Sequence, residues 1–129
     1  MARAQILIVE DDEDIQEIYR EMLAGAFDAD LCQKYNGKEG IDAVLAHKPD
    51  LILLDLLMPV MNGEEFLKNL RNGMNMQDVP VIICSVNQTL AQKLKDDKQA
   101  NAVLPKLFSR KELIAVIANI VPTLTRTSE

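Results

Sequence analysis

Four short apolar runs along the chain each end on a charged or hydroxyl-bearing side chain. Ile6-Leu7-Ile8-Val9 runs into Glu10-Asp11-Asp12, and Leu51-Ile52-Leu53-Leu54 runs into Asp55. Val81-Ile82-Ile83-Cys84 leads to Ser85, and Ala102-Val103-Leu104-Pro105 to Lys106. Unbroken apolar runs of this length are the pattern of strands buried on both faces. Strand-like runs, with a fifth at residues 29–34, alternate with segments of helical period five times over, which predicts a parallel sheet covered on both sides. Strands are expected near residues 5–10, 29–34, 50–55, 80–85 and 102–106.

The first helix shows its period most clearly. Ile15, Ile18, Tyr19, Met22 and Leu23 follow the i, i+3, i+4, i+7, i+8 spacing of a core-facing stripe, with Asp12 placed to cap it. Asn36-Gly37 marks a turn into a second helix carrying Ile41, Val44 and Leu45. Asn62 and Glu65 form a capping box for a third, with Phe66, Leu67 and Leu70 as its buried face. The segment from Thr89 to Gln99 is mostly polar around Leu90, Ala91 and Leu94, and predicts a short or mobile helix. Ser109 and Glu112 form a second capping box, followed by the apolar positions Leu113, Ile114, Val116, Ile117, Ile120 and Val121, and Pro122 closes the element.

Composition narrows the function. A chain of 129 residues has the size of one ordinary domain. Its net charge of -6 and lack of a Lys/Arg stripe argue against binding a phosphate backbone. No apolar run approaches the roughly 20 residues of a membrane span, and the first residues carry no signal-peptide pattern, so a cytoplasmic protein is expected. Cys32 and Cys84 fall inside apolar strands and read as reduced thiols, while a single histidine, His47, leaves zinc sites and His-based triads without their parts.

The strand ends carry the candidate chemistry. In open α/β sheets, ligands bind beyond the carboxyl ends of the strands, where the connection order reverses. Glu10, Asp11 and Asp55 would crowd there, each pair repelling by about 4 kcal/mol at 4 Å and an effective dielectric near 20. A cation or a bound proton must offset that. An oxygen-only ligand set suits a hard ion such as Mg²⁺, which takes one or two carboxylates together with substrate phosphate oxygens. Asp55 is the candidate nucleophile toward phosphorus, being ionised without a general base. Ser85 and Lys106 are placed to hold phosphoryl oxygens.

The segment Asp50 to Gly63 (DLILLDLLMPVMNG) resembles the phosphoacceptor signature of response-regulator receiver domains, and Ile6 to Ile15 (ILIVEDDEDI) resembles their acidic opening. The resemblance implies a flavodoxin-like (βα)5 fold, a five-stranded parallel sheet of order 2-1-3-4-5 with helices on both faces. It further implies phosphotransfer from a phosphohistidine on a sensor histidine kinase or a histidine phosphotransfer protein. By position, Asp55 matches the phosphoacceptor, Asp11 the direct Mg²⁺ ligand, and Glu10 the acidic partner acting through water. The Leu57 backbone carbonyl matches the third protein ligand, Ser85 the switch hydroxyl and Lys106 the phosphate-pairing lysine. The usual site of change in such domains is the face of the fourth helix, fifth strand and fifth helix. Here Thr89 to Lys98, Val103 and Arg110 to Ala115 would meet a downstream protein target.

Four positions depart from the pattern. Leu107 follows Lys106 where a proline, often cis, is usual, and a cis bond before leucine costs about 2.5–4 kcal/mol. Val103 stands where an aromatic ring usually swings inward, and Val86 where alanine is common. Leu57 cannot orient an attacking water, which with Val86 predicts slow self-dephosphorylation.

The expected organisation is a receiver domain over residues 1–122, a short polar tail at 123–129 and no output domain. Three rivals stand beside it: a scaffold of the same fold that works without phosphorylation, a small phosphatase with an aspartate nucleophile, and a flavin module. Leu57 occupies the place of the phosphatase's second aspartate, and 4% aromatics with no Trp leave little to stack on a flavin.

Overall fold

The computed structural model describes residues 3–124 and 126–127. Its strands are β1 (Ala4–Val9), β2 (Ala29–Lys34), β3 (Leu51–Leu54), β4 (Val81–Ser85) and β5 (Ala102–Pro105). Its helices are α1 (Glu13–Leu23), α2 (Gly37–Ala46), α3 (Gly63–Lys68), α4 (Gln88–Asp96) and α5 (Arg110–Ile120). The strands pair in parallel in the order β2-β1-β3-β4-β5, as expected. Pro105 ends β5 at the edge of the sheet, where its missing N–H breaks no ladder bond.

Because side chains alternate across a strand, each central strand feeds two cores. Ile6, Ile8, Leu51, Leu53, Ile82 and Cys84 pack beneath α1 and α5 with Tyr19, Leu113 and Ile117. Leu7, Val9, Ile52, Leu54 and Ile83 pack on the other face with Phe66, Leu67 and Leu94 from α3 and α4, and with Val44 of α2.

The helix stripes differ from the expected ones in three places. On α1 the buried register is Gln16, Tyr19 and Leu23, and Ile18 is turned toward solvent. A polar Gln16 occupies the inward position because it has backbone carbonyls to meet there, which rotates the helix away from the simple apolar stripe. On α2, Gly37, Gly40 and Val44 face inward and Leu45 is 67% exposed. A Cβ at Gly40 would lie 2.9 Å from the Phe66 ring, so the helix approaches along its glycine edge and leaves Leu45 outside. The third helix runs regularly only to Lys68 and ends in a wide π turn, Asn69–Gly73, which keeps Leu70 in the core and turns Arg71 inward.

Both capping boxes are present, at Asn62/Glu65 and Ser109/Glu112, and Asp12 caps α1. The segment after α5, polar in composition, is anchored. Leu124 is buried, Arg126 bridges to Phe27 with its guanidinium 5.5 Å from the ring centroid, and the Thr127 N–H donates to Ala26 O. Thr125, Ser128 and Glu129 of the expected tail, with Met1 and Ala2, lie outside the described residues.

Candidate functional site

The strand order places β1 between β2 and β3, so the chain leaves β1 toward one side for β2 and later crosses to the other for β3. The carboxyl ends of β1 and β3 therefore open on the point where the connections reverse. Val9 pairs with Leu54, and the Asp55 N–H donates to Val9 O at 3.0 Å, which sets Glu10 and Asp55 side by side. Ser85 pairs with Pro105, and the Lys106 N–H reaches Ser85 O at 3.3 Å, which brings the lysine to the same end.

Carboxylate oxygens of Glu10, Asp11 and Asp55 all lie within 4.8 Å of one another. Glu10 and Asp55 are buried while Asp11 is exposed, so the cluster opens to solvent on one side. The Lys106 ammonium lies 2.5 Å from Glu10 Oε1 and 3.4 Å from Asp55 Oδ1. Asp55 Oδ1 also accepts the Leu56 N–H at 2.8 Å, while its Oδ2 takes no hydrogen bond among the described residues. Ser85, fully buried, accepts the Asn87 N–H on Oγ at 3.0 Å. Leu57, two residues past Asp55, has its side chain in solvent. The Lys106–Leu107 peptide bond is trans, and Leu107 is the most exposed large apolar side chain described, at 95%.

Burial is the largest influence on the Glu10 carboxyl, and the Asp55 charge adds to it. Together they outweigh the Lys106 hydrogen bond and push the pKa up to about 7. Burial works against the Lys106 ammonium, but the Glu10 hydrogen bond and Asp55 overcome it and raise the lysine, which stays protonated. Beneath the pocket, burial pushes the Cys84 thiol up to about 12 and raises the Tyr19 phenol, so both are inert packing groups. His47 caps α2 in solvent, beside the start of β3 at the other end of the sheet.

The loop after Asp55 is tight. Gly63 begins α3 with its N–H on Leu56 O, and a Cβ there would stand 2.4 Å from Asp55 O and 2.8 Å from Leu56 Cα. Only glycine lets α3 start this close to the Asp55 backbone. Val60, in the same loop, holds φ at 68°, a conformation that costs a β-branched residue energy.

The predicted site residues Glu10, Asp11, Asp55, Ser85 and Lys106 thus stand at one end of the sheet. Sequence reasoning missed Gln16, whose buried amide donates to Glu10 O at 3.0 Å and Lys34 O at 2.9 Å. The available signal was a polar residue sharing the helical register of Tyr19 and Leu23. It missed Arg71 as well, which is buried with its guanidinium on the carbonyls of Gln99, Met76 and Val79.

Comparison with known proteins agrees with this arrangement. The family model of the response regulator receiver domain matches residues 6–118. The chain is 34% identical over 119 residues to the response regulator ArlR of Staphylococcus aureus, covering 91% of this chain and 52% of that protein. It is 30% identical over 113 residues to the response regulator MprA of Mycolicibacterium vanbaalenii, covering 86% and 47% respectively. It therefore spans about half the length of these relatives. Among solved structures, the chemotaxis protein CheY4 of Vibrio cholerae superposes with a TM-score of 0.79 at 25% identity, covering 92% of this chain and 99% of that one. The receiver domain of the Francisella response regulator 1452 gives 0.79 at 27%, covering 93% and 98%. With the fold and the family match in agreement, the chain belongs to the response regulator receiver domain family.

Proposed function

We propose that Asp55 accepts a phosphoryl group from a phosphohistidine carried by a sensor histidine kinase or a histidine phosphotransfer protein. What carries this reading is the Lys106 ammonium set between two buried carboxylates, 2.5 Å from Glu10 and 3.4 Å from Asp55. A buried group of that charge pattern suits a ligand that brings both a cation and an anion. Three carboxylates against one ammonium leave a formal charge of two negatives, which a divalent ion matches, and the all-oxygen set fits Mg²⁺. Glu10, Asp11, Asp55 and the Leu57 carbonyl would hold it, and when bound it neutralises charge on the transferring group.

In the transfer, Asp55 Oδ2 attacks phosphorus as the bond from phosphorus to the donor imidazole nitrogen breaks, and the imidazole leaves with the electron pair. Lys106 exchanges its pairing with Asp55 for a phosphoryl oxygen, and the Ser85 hydroxyl donates to another. Ser85 reports the event. Its Oγ holds the N–H of Asn87, the N-cap of α4, and its carbonyl holds the Gln88 side chain at 2.5 Å. Moving Ser85 toward the phosphoryl group disturbs the first turn of α4. The changed surface of α4, β5 and α5 then meets a downstream protein target. Val103 has no ring to swing, so this route through Ser85 replaces aromatic coupling. An apolar rim of Leu57, Val60, Val86 and Leu107, each at least 60% exposed, suits a protein donor better than a free metabolite.

On this reading the chain assists its own phosphorylation and slow dephosphorylation in the cytoplasm and turns over no free substrate. Among the described residues, no helix is long and apolar enough to cross a membrane. The test is intact mass after incubation with Mg²⁺ and acetyl phosphate, beside Asp55→Asn. One added phosphoryl group is expected, absent in the mutant and without Mg²⁺. No gain on the folded, Mg²⁺-supplied protein would leave a phosphorylation-independent scaffold as the reading. A chase of the same sample should show a phosphorylated lifetime well beyond seconds, since neither Leu57 nor Val86 can position water.

A further inference from the structure

The Gln16 side chain has no exposed surface and sits one turn into α1, directly behind the acidic corner. Its Nε2 donates to Lys34 O at 2.9 Å and Glu10 O at 3.0 Å, with Ile8 O at 3.4 Å. Its Oε1 accepts from Gln33 Nε2 at 2.6 Å. The amide can face only one way, because carbonyl oxygens surround one end and a donor meets the other. Gln33 is itself fixed, donating to Gln16 O at 2.9 Å and accepting from Arg20 at 2.6 Å.

These bonds bear on the metal corner through peptide planarity. The plane before Glu10 is held by the Glu10 N–H on Lys34 O at 3.0 Å. The plane after it, shared with Asp11, is held by Gln16 on Glu10 O. Fixing both planes fixes the backbone dihedrals of Glu10 and the direction from which Asp11 departs. The Lys34 bond is the last of the β1–β2 ladder, and Glu10 O takes no backbone N–H among the described residues, so no sheet bond holds the second plane.

We infer that Gln16 is a positioning residue for the cation site: it orients the Glu10–Asp11 peptide so that the two carboxylates meet Asp55 at ligand spacing. This rests on the reading of Glu10, Asp11 and Asp55 as an Mg²⁺ site. Gln16 touches neither metal nor phosphorus, and its effect belongs to affinity more than to the chemical step.

The experiment is calorimetric titration of the full chain with Mg²⁺ alone. Gln16→Met keeps the volume and removes both donors. Loss of a group that orients metal ligands weakens binding on the order of 10-fold, and that is the shift expected. In phosphorylation by acetyl phosphate, half-saturating Mg²⁺ should rise by the same factor while the rate at saturating Mg²⁺ changes little. Ile117→Ala, in the core beneath α5, supplies a matched fall in Tm and should leave Mg²⁺ affinity unchanged. Gln33→Leu frees the Gln16 amide to rotate, should weaken binding in the same direction by less, and carries the test should Gln16→Met not fold. Wild-type affinity in either folded variant, or equal weakening in Ile117→Ala, overturns the inference. A wild-type chain that binds no Mg²⁺ overturns the underlying site reading along with it.

Discussion

Lys106 and Val60 are two residues whose local cost is legible only against what surrounds them. Lys106 gives up much of its hydration to stand 2.5 Å from Glu10, and in return offsets a carboxylate cluster that would otherwise repel. Val60 has no such return in packing, since its side chain is 75% exposed at a φ of 68°. A left-handed conformation costs an L-residue about 1–2 kcal/mol, against about 0.5–1 kcal/mol of chain entropy for glycine. Val60→Gly should therefore raise stability by about 0.5 kcal/mol, read as a higher urea midpoint at unchanged slope. A lowered midpoint would show that the valine makes contacts worth more than its strain. Nothing local beyond Pro59 points to that strain, because φ is imposed by the tight turn in which the Met61 N–H donates to Pro59 O at 2.7 Å and by closing the loop onto Gly37 and Gly63.

At the scale of elements, two of the helices that begin beside the site are held in different ways. The α1 helix is tied by its Asp12 cap and by Gln16, while α4 hangs on the Asn87 cap and on Ser85. The third helix is locked at its far end. Its closing π turn carries Arg71 to the carbonyls of Met76, Val79 and Gln99, which binds the loop before β4 to the loop before β5. Burial lowers the Arg71 pKa, and no carboxylate salt bridge to it occurs among the described residues. Arg71→Met strands three carbonyls but relieves a desolvated charge, so a net loss of about 1–3 kcal/mol is expected in chemical denaturation. An unchanged midpoint would mean that water takes over the carbonyls. Capping boxes and apolar stripes made α3 and α5 readable, whereas the π turn was not. A turn of that width depends on where Arg71 finds its acceptors, and these lie 5 to 28 positions away in the chain.

For the molecule as a whole, the site imposes a pH dependence on folding. The Glu10 pKa is raised from 4.5 to about 7 on folding, so between those values the folded protein holds this proton more tightly than the unfolded chain. That contribution is fully present below pH 4.5 and is lost as pH rises through about 7. The metal-free protein should lose stability on the order of 1–3 kcal/mol from this group across that window. Mg²⁺ favours the ionised carboxylate, so the rise in Tm it brings should grow from pH 5.5 to 8 in thermal unfolding. A rise in Tm that is equal at both ends would show that Glu10 is ionised throughout.

The residues themselves determined much of this protein. Apolar runs ending in Glu10, Asp55, Ser85 and Lys106 specified a parallel α/β sheet, its element order and the side chains that stand at its carboxyl edge, because strand burial and strand termination are local properties. Tertiary structure decided which carboxylates meet, that Lys106 faces Glu10 as well as Asp55, and that Gln16 and Arg71 turn inward. It also turned Ile18 and Leu45 outward against their helical stripes. Those outcomes depend on distances between parts of the chain up to 96 positions apart. No local pattern encodes them, because a polar side chain is buried only where the folded backbone offers it acceptors.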